Sequence, residues 1–302
     1  MNDRSRVWTA LTLLALAIAS SMHRLLSYVP AYVSLHSHHP FYIAESIKNV
    51  FEVGVCCLVL LVMGQRHLLR ALGIDHRVPK ALIFAAACAW PMFIGFAFAR
   101  SSHVGNWIAV AYLSFFSPFV EEIVLRGFAF RTLRRIGWPL WPSALLVAMV
   151  AGLTHIEKGQ SRGEILGLFT LLAVGGCTFS WILERWGSLW FTFALHAAMN
   201  FSWELFNVSR TAIGGWYAFT LQNATVILAI LITLRFTQKG DRLETVGEDR
   251  LRDGGQLHIR RSLVDLADLR VAPEFFYRIL FGVTVPAEDL HGHRSHVLTD
   301  LR

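Results

Sequence analysis

Long apolar runs recur along most of this sequence and constrain its fold more than any other feature. Eight of them approach the ~20 residues that an α-helix needs to cross a bilayer. They cover residues 7–22, 47–64, 81–99, 107–130, 140–156, 165–183, 189–203 and 217–236. Only 16% of the 302 residues are charged, against about a quarter in soluble domains. The pattern predicts an all-α fold: a polytopic transmembrane helix bundle of about eight spans with a short polar C-terminal tail.

The apolar runs divide the chain into four regions. We expect residues 1–106 to form N-terminal transmembrane helices and residues 107–203 to form a core that carries polar residues inside the membrane. Residues 204–236 are predicted to hold the last transmembrane helix, and residues 237–302 a polar cytoplasmic tail. The first run follows two arginines, as in a signal peptide, but no good cleavage site follows it, so it is interpreted as an uncleaved span.

Basic residues in the connecting segments predict the orientation. With the N-terminus inside, thirteen Lys and Arg residues fall in inner segments and six in outer segments. Basic loops stay on the cytoplasmic side, so both termini are predicted to be cytoplasmic, in a membrane that we expect to be a bacterial cytoplasmic membrane. The same distribution explains the net charge of +7 without a nucleic-acid partner.

Cysteines and loop histidines give weaker signals. The four cysteines all lie in apolar runs and form no CxxC pair, which indicates reduced thiols rather than a disulfide framework or a cysteine metal site. His36, His38 and His39 fall in the predicted first outer loop. Three histidines could bind a metal, but a solvated loop is the expectation.

The run at 107–130 contains three charged residues, Glu121, Glu122 and Arg126. A charge near the middle of a membrane helix costs roughly 2.5–3.5 kcal/mol on insertion scales and is a functional candidate by default. Glu122 and Arg126 are four residues apart, so a helix places them on one face, where they can form an ion pair. Glu121 points about 100° away from Glu122.

Two later spans contribute further polar residues at a similar predicted depth. His155 lies in the span at 140–156, and His196 and Asn200 lie one helical turn apart in the span at 189–203. Counting residues from the inner helix ends at 1.5 Å each places Glu121, His155 and His196 at ~18, ~21 and ~14 Å. These side chains can therefore meet near mid-membrane, where each needs a polar partner.

The order of these polar residues along the chain resembles the motifs of the CPBP intramembrane protease family. A double glutamate with Arg126 comes first, His155 follows on the next span, and His196 and Asn200 come last. That family includes type II CAAX prenyl endopeptidases and bacteriocin-processing and immunity proteins. The segments from Glu121 to Gly127 and from His196 to Asn200 fit its first and last motifs. The middle motif fits in part, because the family usually has Phe four residues before the His, where this chain has Ala151.

The resemblance implies an endopeptidase. We expect Glu121 to activate water, His155 to assist, and His196 and Asn200 to stabilise the oxyanion, with Glu122 and Arg126 as a structural and electrostatic pair. No cofactor is favoured, although the family also admits a zinc site of Glu121, His155 and His196. There is no HExxH motif.

Several substrates and two other classes of protein fit the same residues. A prenylated C-terminus, a leader peptide or a sorting segment would all suit, so the expected partners are the bilayer and a membrane-embedded or lipid-modified substrate. A proton or ion carrier also places Glu, His and Arg inside a membrane, but we find no paired broken helices in the sequence. A non-catalytic immunity or binding protein is the third alternative.

Overall fold

The computed structural model describes residues 3–74, 77–99, 104–154, 162–209 and 214–237, and every regular element within them is a helix. His155 and the predicted polar tail lie outside these residues. The α-helices are α1 (Asp3–Ser20), α2 (Met22–Leu26), α3 (Pro30–His38), α4 (Phe41–Val62), α5 (Leu68–Leu72), α6 (Val78–Ala99), α7 (Trp107–Ala111), α8 (Ser117–Glu122), α9 (Arg131–Arg135), α10 (Leu140–Thr154), α11 (Arg162–Trp186), α12 (Leu189–Leu205) and α13 (Gly215–Phe236).

Two π-helical segments, Tyr112–Phe116 and Ile123–Phe130, join α7, α8 and α9 into one continuous helix. This helix runs from Trp107 to Arg135, and we call it the glutamate helix because it carries Glu121 and Glu122. The predicted all-α class is confirmed for the part of the chain that the structure describes.

The described residues of the eight predicted spans fall largely on helices, but four helices in this part of the chain are long and apolar enough to cross a membrane. These are Val78–Ala99, Trp107–Arg135, Ile165–Trp186 and Gly215–Phe236, with Leu140–Leu153 as a shorter apolar helix. Large apolar side chains such as Ile83, Phe98 and Trp216 are exposed on these helices. Such surfaces favour a lipid environment over water. The chain is therefore an integral membrane protein, and the count of eight spans stays a prediction.

The region before the predicted second span differs from the expectation. Helix α4 begins at Phe41 rather than near residue 47, and Glu45, Lys48 and Glu52 lie on it. The prediction of a loop around His36 and His38 is wrong, because both residues lie on α3. Pro30 occupies its first turn, where a fixed φ favours helix formation and the missing N–H costs nothing.

The second half of the glutamate helix forms the centre of the fold. All eight residues of Ile123–Phe130 are buried, as expected for a helix surrounded by other helices. Gly127 permits α5 to approach closely, because a Cβ atom there would lie 3.0 Å from the Leu72 carbonyl oxygen. Around this centre α6 contacts α12 and α13, while α10 contacts α11.

Candidate active site

The first π-helical segment of the glutamate helix has an identifiable cause and consequence. Pro118 lacks an N–H group and would clash with the carbonyl four residues earlier in a regular α-helix. The Ser117 N–H bonds to the Tyr112 carbonyl, five residues back. The Leu113 carbonyl thereby becomes available, and it accepts a hydrogen bond from Asn200 Nδ2 at 3.2 Å. Segments of this kind are frequent at functional sites.

Glu122 is the most buried charged group of the site. Its side chain is 0% exposed, and its Oε1 atom accepts two hydrogen bonds. Arg126 Nη1 donates one at 3.1 Å, and His196 Nδ1 lies 3.0 Å away. The ion pair expected from the i, i+4 spacing is therefore present, and α12 adds a second partner that the spacing did not indicate.

The pairing fixes the protonation pattern of His196. A carboxylate that is paired with a guanidinium can only accept hydrogen bonds, so the His196 Nδ1 atom must carry the proton that lies between the two groups. The other ring nitrogen, Nε2, then has a free lone pair in neutral His196 and becomes a donor when the ring is protonated. Glu122 thus orients the His196 ring and fixes its tautomer.

Helix α11 completes the surroundings of Arg126. The guanidinium carbon lies 5.4 Å from the centre of the Phe179 ring, a cation–π distance, and the same ring meets His196 edge-on at 5.7 Å. Gly176, one turn earlier, gives α10 and α11 room to approach. A Cβ atom there would lie 2.7 Å from Ala148 Cβ and 3.4 Å from Arg126 Nη2.

Glu121 lies outside the network of Glu122. It is half-buried, and its Oε1 atom accepts a hydrogen bond from the Ser117 hydroxyl at 3.3 Å. It is also close enough to Glu52 of α4 to interact with it electrostatically. The two neighbouring glutamates therefore have different partners, as their helical phases suggest.

The structure brings three of the six residues named from the sequence into contact. Glu122 contacts both Arg126 and His196, while Glu121 and Asn200 lie on the same two helices with their own partners. His155 lies outside the described residues. Ser117 and Phe179 were missed. Ser117 could have been found from its i, i+4 spacing to Glu121, whereas the contact of Phe179 depends on how α11 packs.

The helices and the buried charges define a class of protein: an integral membrane protein with a polar site inside its helical bundle. Residues 103–202 match the family described as type II CAAX prenyl endopeptidase Rce1-like. The match includes all six named residues and confirms the similarity to this group of proteases. Comparisons with curated proteins and with solved structures give no match.

Proposed function

We propose that this protein is an intramembrane endopeptidase that hydrolyses a peptide bond of a membrane-associated protein or peptide. The unequal surroundings of Glu121 and Glu122 carry the proposal. The charge of Glu122 is paired by Arg126 and His196, whereas Glu121 is half-buried and hydrogen-bonded to one hydroxyl group. A general base must reach water and must not be held in an ion pair. Glu121 meets both requirements.

In the proposed mechanism Glu121 takes a proton from a water molecule, and the water oxygen attacks the carbon of the scissile carbonyl group. The proton is then delivered to the nitrogen of the leaving amine, which breaks the C–N bond and restores the carboxylate. His155 assists these proton transfers, a role assigned from the sequence.

His196 and Asn200 are assigned to the oxyanion. The Asn200 amide has two hydrogens and uses one of them for the Leu113 carbonyl, so the second can be donated to substrate. His196 can donate from Nε2 when its ring carries two protons, and its contact with Glu122 holds the ring in place. Two such donors stabilise the negative charge that develops on the carbonyl oxygen, which contributes much of the rate enhancement in acyl-transfer catalysis.

A zinc-dependent version of the same protease is the second candidate, and the His196–Glu122 contact favours it. Zinc-bound histidines usually donate their other N–H to a carboxylate, and His196 has that arrangement. Glu121, His155 and His196 would hold the ion, which would supply a bound water of lowered pKa. Metal content must therefore be measured.

The substrate is proposed to be membrane-embedded or lipid-modified, in keeping with the family description. The test compares the protein termini in membranes of cells that produce the wild-type chain or the Glu121→Ala variant. Termini that appear with the wild type alone would identify the substrate. Identical termini in both, with both chains inserted and intact, would refute the protease and favour a carrier or a binding protein.

Metal analysis of the same purified chain separates the two mechanisms. Activity that survives complete removal of metal supports the glutamate-type mechanism. Loss of activity on chelation, with recovery on adding Zn²⁺, supports the zinc-dependent one.

Both termini are proposed to face the cytoplasm, in a bacterial cytoplasmic membrane. Gly105 and Gly137 flank the glutamate helix, so reporter fusions there should report opposite sides, outside for Gly105 and inside for Gly137. The reverse pattern would invert the topology and leave the site unchanged.

A further inference from the structure

Three side chains of metal-ligating types lie close together at the N-terminal end of α4, outside the candidate active site. His23 lies on α2, His36 on α3 and Glu45 in the first two turns of α4. One ligand atom from each lies within 4.8 Å of the others. In the described part of the chain, no other group of three His, Cys, Asp or Glu residues has its ligand atoms this close together.

The distances suit one small cation. His23 Nδ1 is 3.3 Å and His36 Nε2 is 4.0 Å from Glu45 Oε1. In a tetrahedral site with metal–ligand distances of 2.0–2.1 Å, neighbouring ligand atoms lie about 3.4 Å apart. The first distance already matches this spacing, and the second requires His36 to move by about half an ångström. Neutral imidazole and carboxylate are common ligands for zinc.

Neighbouring charges hold Glu45 in the required orientation. Lys48 Nζ lies 2.9 Å from Glu45 Oε2, which turns the other oxygen toward the histidines. Lys48 also lies 3.5 Å from Glu52 Oε1, so two carboxylates share one ammonium group.

Aromatic rings and solvent complete the arrangement. The His23 and His36 rings meet edge-on at 5.8 Å, and the Tyr32 hydroxyl lies 3.3 Å from His23 Nδ1. The His23 and His36 side chains are 59% and 43% exposed. A dissolved ion can therefore reach the site, and the ligands come from three helices rather than one flexible loop.

We propose that His23, His36 and Glu45 form a binding site for a divalent transition-metal cation of the Zn²⁺ type. Three protein ligands leave the fourth coordination position to water or to the Tyr32 hydroxyl. The bound ion would connect α2 and α3 to the start of α4. The site shares no ligand with the candidate zinc site of Glu121, His155 and His196, so it does not depend on the proposed protease activity.

The test measures binding of Co²⁺ and Zn²⁺ to the full-length chain in detergent, after removal of metal and without a histidine tag. The wild type should bind, and His23→Ala, His36→Ala and Glu45→Gln should each weaken binding by at least about 100-fold, more than loss of an outer-shell partner. His36→Cys should retain Co²⁺ and add a sulfur-to-cobalt charge-transfer band, which a misfolded protein would not show. The matched controls are His38→Ala, His39→Ala and His196→Ala.

Three results would overturn the proposal. The first is no binding of either ion by the folded wild type. The second is equal affinity in the wild type and His36→Ala. The third is loss of binding in His196→Ala with normal affinity in His36→Ala, which would assign the ion to the candidate active site instead.

Discussion

Two arginines of the glutamate helix, about two turns apart, form ion pairs with glutamates, one pair inside the protein and one at its edge. The side chains of Arg126 and Glu122 are 6% and 0% exposed, and those of Arg134 and Glu184 are 26% and 35% exposed. The exposed pair is the shorter, at 2.6 Å against 3.1 Å. The distance therefore does not indicate which pair matters more for stability. Burial does indicate it, because an exposed pair is solvated and contributes ~0.2–1 kcal/mol, whereas removing one partner of a buried pair costs ~3–5 kcal/mol.

The same difference explains how the site is organised. At the edge, Arg134 and Glu184 connect the glutamate helix to α11 and could be replaced by other polar contacts. In the interior, the charge of Glu122 must be matched, and Arg126 and His196 do so. Glu121 is adjacent to Glu122 in the chain but takes no part in this ion pair, so the two carboxylates have different surroundings.

The largest effect on stability is expected for Arg126→Ala. The change leaves Glu122 buried without its guanidinium, so the free energy of unfolding should fall by ~3–5 kcal/mol. Thermal unfolding in detergent measures this loss. The double variant Glu122→Gln, Arg126→Leu should recover part of it, since it removes both charges. An unfolding temperature equal to that of the wild type in Arg126→Ala would show that the buried pair is not structurally required.

A smaller loss is expected for Gly176→Ala on α11. The new Cβ atom would meet Ala148 Cβ at 2.7 Å and its Cα at 3.1 Å, and overpacking of this kind costs ~1–3 kcal/mol. Gly175→Ala is the matched control, because nothing lies within 4 Å of a Cβ atom there. It should be neutral or stabilising by up to ~1 kcal/mol, as expected for Ala in place of Gly in a helix. Equal unfolding temperatures for the two variants would argue against close packing of α10 and α11.

The smallest effect is expected for Glu184→Gln in the exposed pair. Loss of this ion pair should lower the free energy of unfolding by no more than ~1 kcal/mol, and added salt should reduce the difference in stability between the variant and the wild type. The same thermal unfolding experiment at low and high salt measures both. A loss as large as that of Arg126→Ala would remove the distinction between the two pairs.

Local features of the site were predictable from the sequence, and contacts between helices were not. The i, i+4 spacing of Glu122 and Arg126 predicted their ion pair, because that geometry depends on one helix alone. The described residues of the eight apolar runs are also largely helical. The contact of Glu122 with His196 depends on the packing of α12, which no spacing within either segment specifies.

Two regions show where the sequence patterns were insufficient. The π-helical segments alter the phase of the glutamate helix, and Pro118 was the one local sign of the first of them. Near the N-terminus, polarity suggested a loop at His36, but the segment is helical and folds back on Glu45. Polar composition indicates exposure to water there and does not decide between helix and loop.

The central claim is the division of roles between Glu121 and Glu122, and the rate of peptide cleavage by Glu121→Gln tests it most directly. The variant keeps the shape of the side chain and removes the base, so turnover should fall by ~10²–10⁴-fold while the protein stays folded and binds substrate. Glu122→Gln, the matched control, should lose more stability and less activity. Near-normal cleavage by folded Glu121→Gln, with an inactive but folded Glu122→Gln, would contradict the account and exchange the two roles.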